Sequence, residues 1–476
     1  MVRDVRAAAA QTRPLALPSR EALEDFALRD DYALNPAYVQ MVVDAADRGD
    51  SVRVGELISA LRPEDVADLL GFVPPAYRAE LIAELPREML VDVLPELDDA
   101  IREDVLEEVE PAALAEAVSD LDTDDAAAVL EDLEEDQRAA VLAAMPAPER
   151  AAVENALAYE ENSAGRLMQR EVLAAPQFWT VGQTIDHVRS QPEELPELFF
   201  DVYVVDPAYK PVGAVPLSGL LRARRDTPLT ELMEKVTEIG AEQDQEEVAY
   251  AFSKYNLISA PVTDDAGRLI GQITLDDVVE VVQEESQEDI LALAGVADVG
   301  RDANVFGVSR SRVPWLAVNL ATAGLGAAVI SQFEATIQQI VALAVLLPIV
   351  SAIGGNAGTQ SLTVTVRALA MRELSSANAL RTFGRELTVG LINGAVLAPL
   401  LGLAAGVWAG DWRIGAVISA AMILNLLIAA SIGVLTPLTL QKLKQDPAVS
   451  SAVFVTATTD FFGFLIFLGL ATVVLL

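Results

Sequence analysis

The last third of this 476-residue chain holds five apolar stretches, about 313–333, 337–363, 387–409, 414–440 and 451–476. Each is long enough to cross the roughly 30 Å hydrocarbon core of a bilayer as a helix. Backbone polar groups in lipid have no water to bond, so this part of the chain is restricted to a bundle of spanning helices. Deep in the fifth stretch lies Asp460, preceded by Thr456-Ala457-Thr458-Thr459 and followed by Phe461-Phe462-Gly463. An ionised carboxylate at that depth costs at least about 2.5 kcal/mol, which marks it as a functional group facing a polar path. No cation shares its stretch, so the expected partner is a passing cation.

The basic residues orient the bundle. Arg301, Arg310 and Arg312 precede the first stretch, Arg367, Arg372, Arg381 and Arg385 lie between the second and third, and Lys442 and Lys444 between the fourth and fifth. The alternate connections carry only Glu334, and Asp411 with Arg413. The positive-inside rule then predicts a multi-pass protein of the cell membrane with a cytoplasmic N-terminus and an external C-terminus. The apolar run Ala7–Ala10 is too short for a cleavable signal.

The second stretch is expected to be interrupted, first by Pro348 and then by Gly354-Gly355-Asn356-Ala357-Gly358-Thr359-Gln360. Non-helical backbone at membrane depth is tolerated where it lines a watery cavity, and these residues suit a hydrated cation path. The same glycines also fit a close-packing face of the Gly-xxx-Gly kind. A single Asp per chain is a weak divalent site. A two-fold axis along the pore would pair two copies of Asp460, so a homodimer is expected. Mg²⁺ gives up water reluctantly and is usually held by one or two carboxylates with waters retained, which suits so sparse a pore.

From Arg310 onward there are nine Lys and Arg against six Asp and Glu, leaving 33 − 9 = 24 basic and 71 − 6 = 65 acidic residues before it. Such a field repels nucleic acid and anionic membrane surfaces and concentrates cations; adaptation to high salt would give a similar composition. The absence of cysteine excludes disulfides and thiolate chemistry, and the single His187 cannot complete a zinc site. No nucleophile and base arrangement, phosphate-binding loop or hydrolase metal cluster is present, so no enzyme is expected.

Between about Ser51 and Leu157, short Leu/Val/Ala helices are punctuated by caps such as Leu61-Arg62-Pro63-Glu64-Asp65, Leu94-Pro95-Glu96 and Leu121-Asp122-Thr123-Asp124-Asp125. This reads as an α-helical solenoid of irregular period. From about Leu173 to Glu280, β-branched runs alternate with helices in two copies. The runs are Phe200–Asp206 with Pro211–Val215, and Ser259–Thr263 with Leu269–Thr274. The two copies resemble the cystathionine-β-synthase (CBS) pair. In that family a Gly-x-x-Thr-x-x-Asp turn can bind adenosine ribose and phosphate. Gly271, Thr274 and Asp277 match it, making Thr274 and Asp277 nucleotide candidates and ATP a candidate ligand of the second CBS domain; Pro216 and Gly219 break the pattern in the first copy.

The next segment, 276–289, places Asp277, Glu280, Glu284 and Glu288 on one helical face with Glu285 and Asp289 beside it. Stacked like charges weaken a helix unless cations compensate, and oxygen ligands suit Mg²⁺ or Ca²⁺. The plainer reading is a solvated acidic face; its place just before the first span favours a gating role.

The order of solenoid, CBS pair, acidic connecting helix and five spans resembles the MgtE family of Mg²⁺ channels and transporters. The strings that carry the resemblance are Tyr159–Met168, Asp244–Ala249, the 276–289 helix, Arg312-Val313-Pro314-Trp315-Leu316, Gly354–Gln360, and Asp446-Pro447-Ala448 leading to Asp460. The resemblance implies a homodimer that conducts Mg²⁺ into the cytoplasm and that cytosolic Mg²⁺ shuts. It implies pore residues at Asp460, Thr456, Gly354, Gly355 and Asn356. It implies sensor acids at Asp244, Glu246, Asp277, Glu280, Glu285, Glu288 and Asp289, with Glu116 the one acid in the solenoid segment that faces the connecting helix. Asn256 and Leu257 depart from the family, standing where a further acid and an adenine-stacking aromatic can occur.

The implied multidomain membrane protein divides into an N-terminal tail (1–36), a superhelical cytosolic N domain (37–160), α/β CBS domains (161–225 and 226–282), a long connecting helix (283–310) and a five-helix transmembrane domain (311–476). Two other classes fit parts of the pattern. An ion-coupled exchanger of Mn²⁺ or Co²⁺ would use Asp460 as a relay, and a membrane-anchored CBS sensor without transport would leave Asp460 unexplained.

Overall fold

The computed structural model describes residues 20–190, 195–196, 198–296, 305–375, 377–447 and 451–476. The chain divides into two compact units, Met1–Val281 and Val282–Leu476. Residues 1–19 of the expected tail, Arg301 and Ala448 lie outside the described residues.

The first unit begins with α1 (Arg20–Ala27), α2 (Pro36–Ala46), α3 (Ser51–Ile58), α4 (Pro63–Phe72), α5 (Pro75–Ala83), α6 (Arg87–Val93), α7 (Asp99–Glu108), α8 (Pro111–Ser119), α9 (Thr123–Glu131), α10 (Glu135–Ala144) and α11 (Ala147–Ala156). Proline opens several of them, where the missing N–H costs nothing and φ is already set for a helix. Helices this short are marginal alone, so their stability comes from packing. One continuous apolar core runs from Leu23 to Ala156. It therefore begins before residue 37, because Leu23, Ala27 and Leu34 are already buried in it.

Buried arginines stitch this stack together. Arg78 of α5 donates to the Leu70 carbonyl at 3.1 Å and pairs with Asp104 of α7. Arg102 of α7 donates to the Leu97 carbonyl at 2.8 Å and to Asp132, just after α9, at 3.0 Å. Truncating one partner of a buried ion pair strands the other, so Arg102→Ala is expected to cost about 3 kcal/mol in chemical unfolding. An unchanged midpoint would contradict that role.

A four-residue helix α12 (Ala164–Leu167) leads to two sheets. Strands β1 (Ala174–Pro176), β2 (Asp201–Val205) and β3 (Pro211–Pro216) form the first, with α13 (Val181–Ser190), α14 (Leu217–Arg222) and α15 (Leu229–Leu232) around it. Strands β4 (Ile239–Gly240), β5 (Ser259–Thr263) and β6 (Leu269–Thr274) form the second, with α16 (Gln245–Tyr255) and α17 (Leu275–Ala294). Each sheet joins a parallel pair to an antiparallel hairpin, with an irregularity at the same place, Val204/Val205 and Val262/Thr263. The sequence copies are thus structural copies. A buried relay links them: Tyr203 Oη donates to Ser259 Oγ at 2.8 Å, which donates to Asp201 Oδ2 at 2.9 Å.

The second unit consists of the end of α17, α18 (Val305–Gln332), the short α19 (Glu334–Gln339), α20 (Ala342–Ala370), α21 (Ala379–Ala409), α22 (Trp412–Lys442) and α23 (Ser451–Leu475). Five of these helices are long and apolar enough to span a membrane. The central α22 packs on α20, α21 and α23, and α18 packs on α23.

Two expectations are corrected here. The second span is not broken: α20 runs continuously through Pro348 and Gly354–Gly358. A proline removes one ladder bond, and neighbouring helices make this tolerable in a membrane bundle. The glycines serve close approach instead. A Cβ at Gly358 would lie 2.5 Å from the Val455 methyl, and one at Gly433 2.7 Å from the Gly358 carbonyl. Small residues let helices pack where no hydrophobic force drives them together. The third helix also starts at Ala379, not near 387, so it includes a second acid. Glu386 is buried and accepts from Ser361 Oγ at 2.8 Å.

Candidate functional site

In the membrane unit, Asp460 lies midway along α23 and Ser351 lies one turn before Gly354 on α20. Ser351 Oγ donates to Asp460 Oδ1 at 2.5 Å, so a hydroxyl of the facing helix orients the carboxylate. Sequence reading missed Ser351, since a lone serine in an apolar run carries no signal until the facing helix is known. Thr456, one turn before Asp460, is exposed on the isolated chain, as are Asn356 and Thr359 of α20. Gly355 lies against Thr456, and a Cβ there would be 3.8 Å from the threonine methyl. A polar strip is thus formed by Ser351 and Gly355 of α20 with Thr456 and Asp460 of α23, and α20 also exposes Asn356 and Thr359. Gly354 is buried instead, facing Asn425.

In the first unit, α17 brings Asp277 and Glu280 to a second concentration of charge. Asp277 is pinned by its own turn: Thr274 N donates to its Oδ2 at 3.1 Å and Thr274 Oγ1 at 2.7 Å. The first turn of α9 supplies Asp124 and Asp125. Burial pushes the Asp125 carboxyl up to about 7, followed in effect by the charges of Asp277, Asp122, Glu280 and Glu96. Asp277 is raised to about 6, by burial before the charges of Asp276 and Glu280. Asp124 is raised well above the carboxylate range by burial and then by Asp277, and its buried Oδ1 has no hydrogen-bond partner among the described residues. Glu96 is raised by burial and by Glu64, Glu280 and Asp276. The cap Asp122-Thr123-Asp124-Asp125 reads in sequence as a helix start; only the fold sets it against α17. Glu116 instead pairs with Arg87, and Asp244 caps α16, accepting from the Glu246 N–H at 2.9 Å with both acids exposed.

Among the described residues no three carboxylates already converge at metal-ligand spacing. The donors nonetheless fit a hard cation: all are oxygens, and the buried Asp124 Oδ1 is free to turn to a ligand. Carboxyls raised by burial and by neighbouring charges weaken the folded state once ionised. Stability tied to Asp125 and Asp277 is fully present below the unfolded carboxylate value near 4 and is lost as pH rises through about 6 to 7. In Mg²⁺-free buffer the melting temperature is therefore expected to fall between pH 5 and 7.5. Millimolar Mg²⁺ is expected to restore it at pH 7.5 and to do little at pH 5. A Mg²⁺ shift equal at both pH values would dissociate binding from these carboxyls.

A third acidic region belongs to the membrane unit. Asp289 on α17 is raised by burial and then by the charges of Asp446, Glu285 and Glu288. Asp446, in the turn after α22, joins the expected acids of α17 only in the folded structure.

Residues 61–162 match the MgtE intracellular N domain, 229–284 the CBS domain, and 347–470 the MgtE family described as a divalent cation transporter. Together with the five spans they define a multi-pass divalent-cation transporter with a CBS-bearing N-terminal unit. The magnesium transporter MgtE of Thermus thermophilus is 34% identical over 322 residues, 67% of this chain and 71% of that protein. That of Bacillus subtilis is 33% identical over 316 residues, 66% and 70% respectively. The solved cytosolic domain of the Mg²⁺ channel MgtE in complex with ATP is similar at a TM-score of 0.48 and 29% identity, covering 51% of this chain and 99% of that one. The chain belongs to the MgtE family of magnesium transporters, which is not a family of enzymes.

Proposed function

We propose that the protein is a homodimeric channel that passes Mg²⁺ into the cytoplasm and closes when Mg²⁺ accumulates there. The observation that carries this reading is the open polar strip around Asp460. Facing lipid, the Asn356 amide and the Thr359 and Thr456 hydroxyls would lose water, and the Asp460 carboxylate would keep only the Ser351 hydroxyl, at a cost of several kcal/mol. A second copy related by a two-fold axis along the strip would cover it and place two carboxylates beside one path. Two carboxylates match one divalent ion, while Thr456, Asn356 and the exposed hydroxyls bond its retained waters.

Closure is assigned to the acids. The residues proposed to hold regulatory Mg²⁺ are Asp124, Asp125, Asp277 and Glu280 in the soluble unit and Glu285, Glu288, Asp289 and Asp446 in the membrane unit; Asp244, Glu246 and Glu116 are secondary candidates. Bound Mg²⁺ supplies positive charge that offsets their mutual repulsion. Uncompensated, the acidic faces push the soluble domains apart and the connecting helices leave the pore mouth, a two-state element biased by ion binding. ATP in the second CBS domain is a subsidiary proposal. Thr274 and Asp277 are bonded to each other there, so ATP is expected to compete with that turn, and calorimetric titration of the full chain with ATP tests it.

The direct test is Mg²⁺ influx into liposomes followed with an entrapped dye, at micromolar and millimolar Mg²⁺ on the soluble-domain face. Influx that tracks the Mg²⁺ gradient and falls at millimolar Mg²⁺ supports a self-gated channel. Influx that follows a pH gradient instead indicates a coupled exchanger, and none at all indicates a sensor.

A further inference from the structure

We propose that Asn425 of α22 is the positioning residue for Asp460, an inference that rests on the reading of Asp460 as the pore carboxylate. Asn425 is fully buried where α20, α22 and α23 meet. Its Nδ2 donates to the Val350 carbonyl at 3.1 Å, the residue beside Ser351. Its amide is held between two glycines. A Cβ at Gly463 would stand 2.8 Å from Nδ2 and 3.1 Å from Oδ1, and one at Gly354 3.1 Å from Cγ.

Gly354 follows Ser351 by three residues and Gly463 follows Asp460 by three, so the wedge sits one helical turn from the Ser351–Asp460 bond on both helices. Packing alone does not explain an amide here. Oδ1 accepts no hydrogen bond from the described residues, and a buried polar atom left unbonded is a penalty a leucine would avoid. What the amide adds is a flat shape that lets α20 and α23 close to glycine distance, and a directed bond that fixes Val350 and with it the Ser351 hydroxyl. Asp460 is thereby held in one orientation toward the polar strip.

The cysteine-free chain allows a direct test in the full-length protein in liposomes. Ser351→Cys with Asp460→Cys reports the positioned pair by oxidative cross-linking. Thr336→Cys with Thr472→Cys, whose hydroxyls are 2.9 Å apart on α19 and α23, reports packing elsewhere. Asn425→Ala is expected to cut the first cross-link about fivefold and leave the second unchanged, because a site loses its geometry when its supporting shell is removed. Gly463→Ala, which keeps Asn425 but displaces its amide, is expected to do the same. In the background without added cysteines, Asn425→Ala is expected to raise the half-saturating Mg²⁺ for influx about tenfold.

An unchanged first cross-link with unchanged half-saturation overturns the proposal. So does equal loss of both cross-links in both variants, which would make Asn425 a general packing residue. Full influx in Asp460→Ala would remove the pore reading alone, since the cross-links do not depend on transport.

Discussion

Asp460→Ala is expected to reduce Mg²⁺ influx into liposomes at least about 100-fold, with the protein still folded and inserted. At about 4 Å and an effective dielectric near 20, one pair of unit charges is worth about 4 kcal/mol. Every 1.4 kcal/mol is a factor of ten, so even a partly screened carboxylate that attracts a divalent ion accounts for two powers of ten. The Ser351 hydroxyl would lose its acceptor, a smaller loss that α20 can absorb within its own backbone. Asp460→Asn separates the contributions, because it keeps an oxygen for bound water and removes the charge. It is expected to conduct better than alanine and far less than the parent. Influx in Asp460→Ala within twofold of the parent would take the carboxylate out of the ion path.

The second large effect is on closure. Asp125→Ala with Asp277→Ala removes two carboxyls raised by burial and neighbouring charge. The double variant is expected to conduct about tenfold more than the parent at millimolar soluble-side Mg²⁺, so that the ratio of influx at micromolar to millimolar Mg²⁺ approaches one. Its Mg²⁺-free melting temperature at pH 7.5 is expected to rise, since like charges have been removed. The Mg²⁺-induced rise in stability, about 2.7 kcal/mol at a hundredfold excess over the dissociation constant, should shrink with the lost ligands. If the variant closes like the parent, regulation lies with other acids, and Glu285, Glu288, Asp289 and Asp446 are the next to replace.

The two sites differ in how far they are legible before folding. Asp460 stands out because the penalty for a charge in lipid does not depend on which helix faces it. Five spans follow from run length alone, and the two CBS repeats from paired β-branched runs. Glu386 escapes notice because helix ends extend past the apolar run, and a carboxylate at the edge of a stretch looks like a loop charge. The glycine stretch of α20 reads as a break because glycine and proline loosen a helix in isolation. In the bundle the bare Gly354 and Gly358 admit Asn425 and Val455, and packing keeps the helix whole.

Local composition therefore determined what depends on local energetics: apolar length against bilayer thickness, a buried charge against hydration, alternation against sheet pairing. Tertiary structure alone decided which groups meet. Ser351 reaches Asp460 across 109 positions, Asn425 reaches Val350 across 75, and the α9 cap is set against Asp277. The physical reason is that a hydrogen bond or a charge repulsion depends on distances of a few ångströms, which only the packing of whole helices sets.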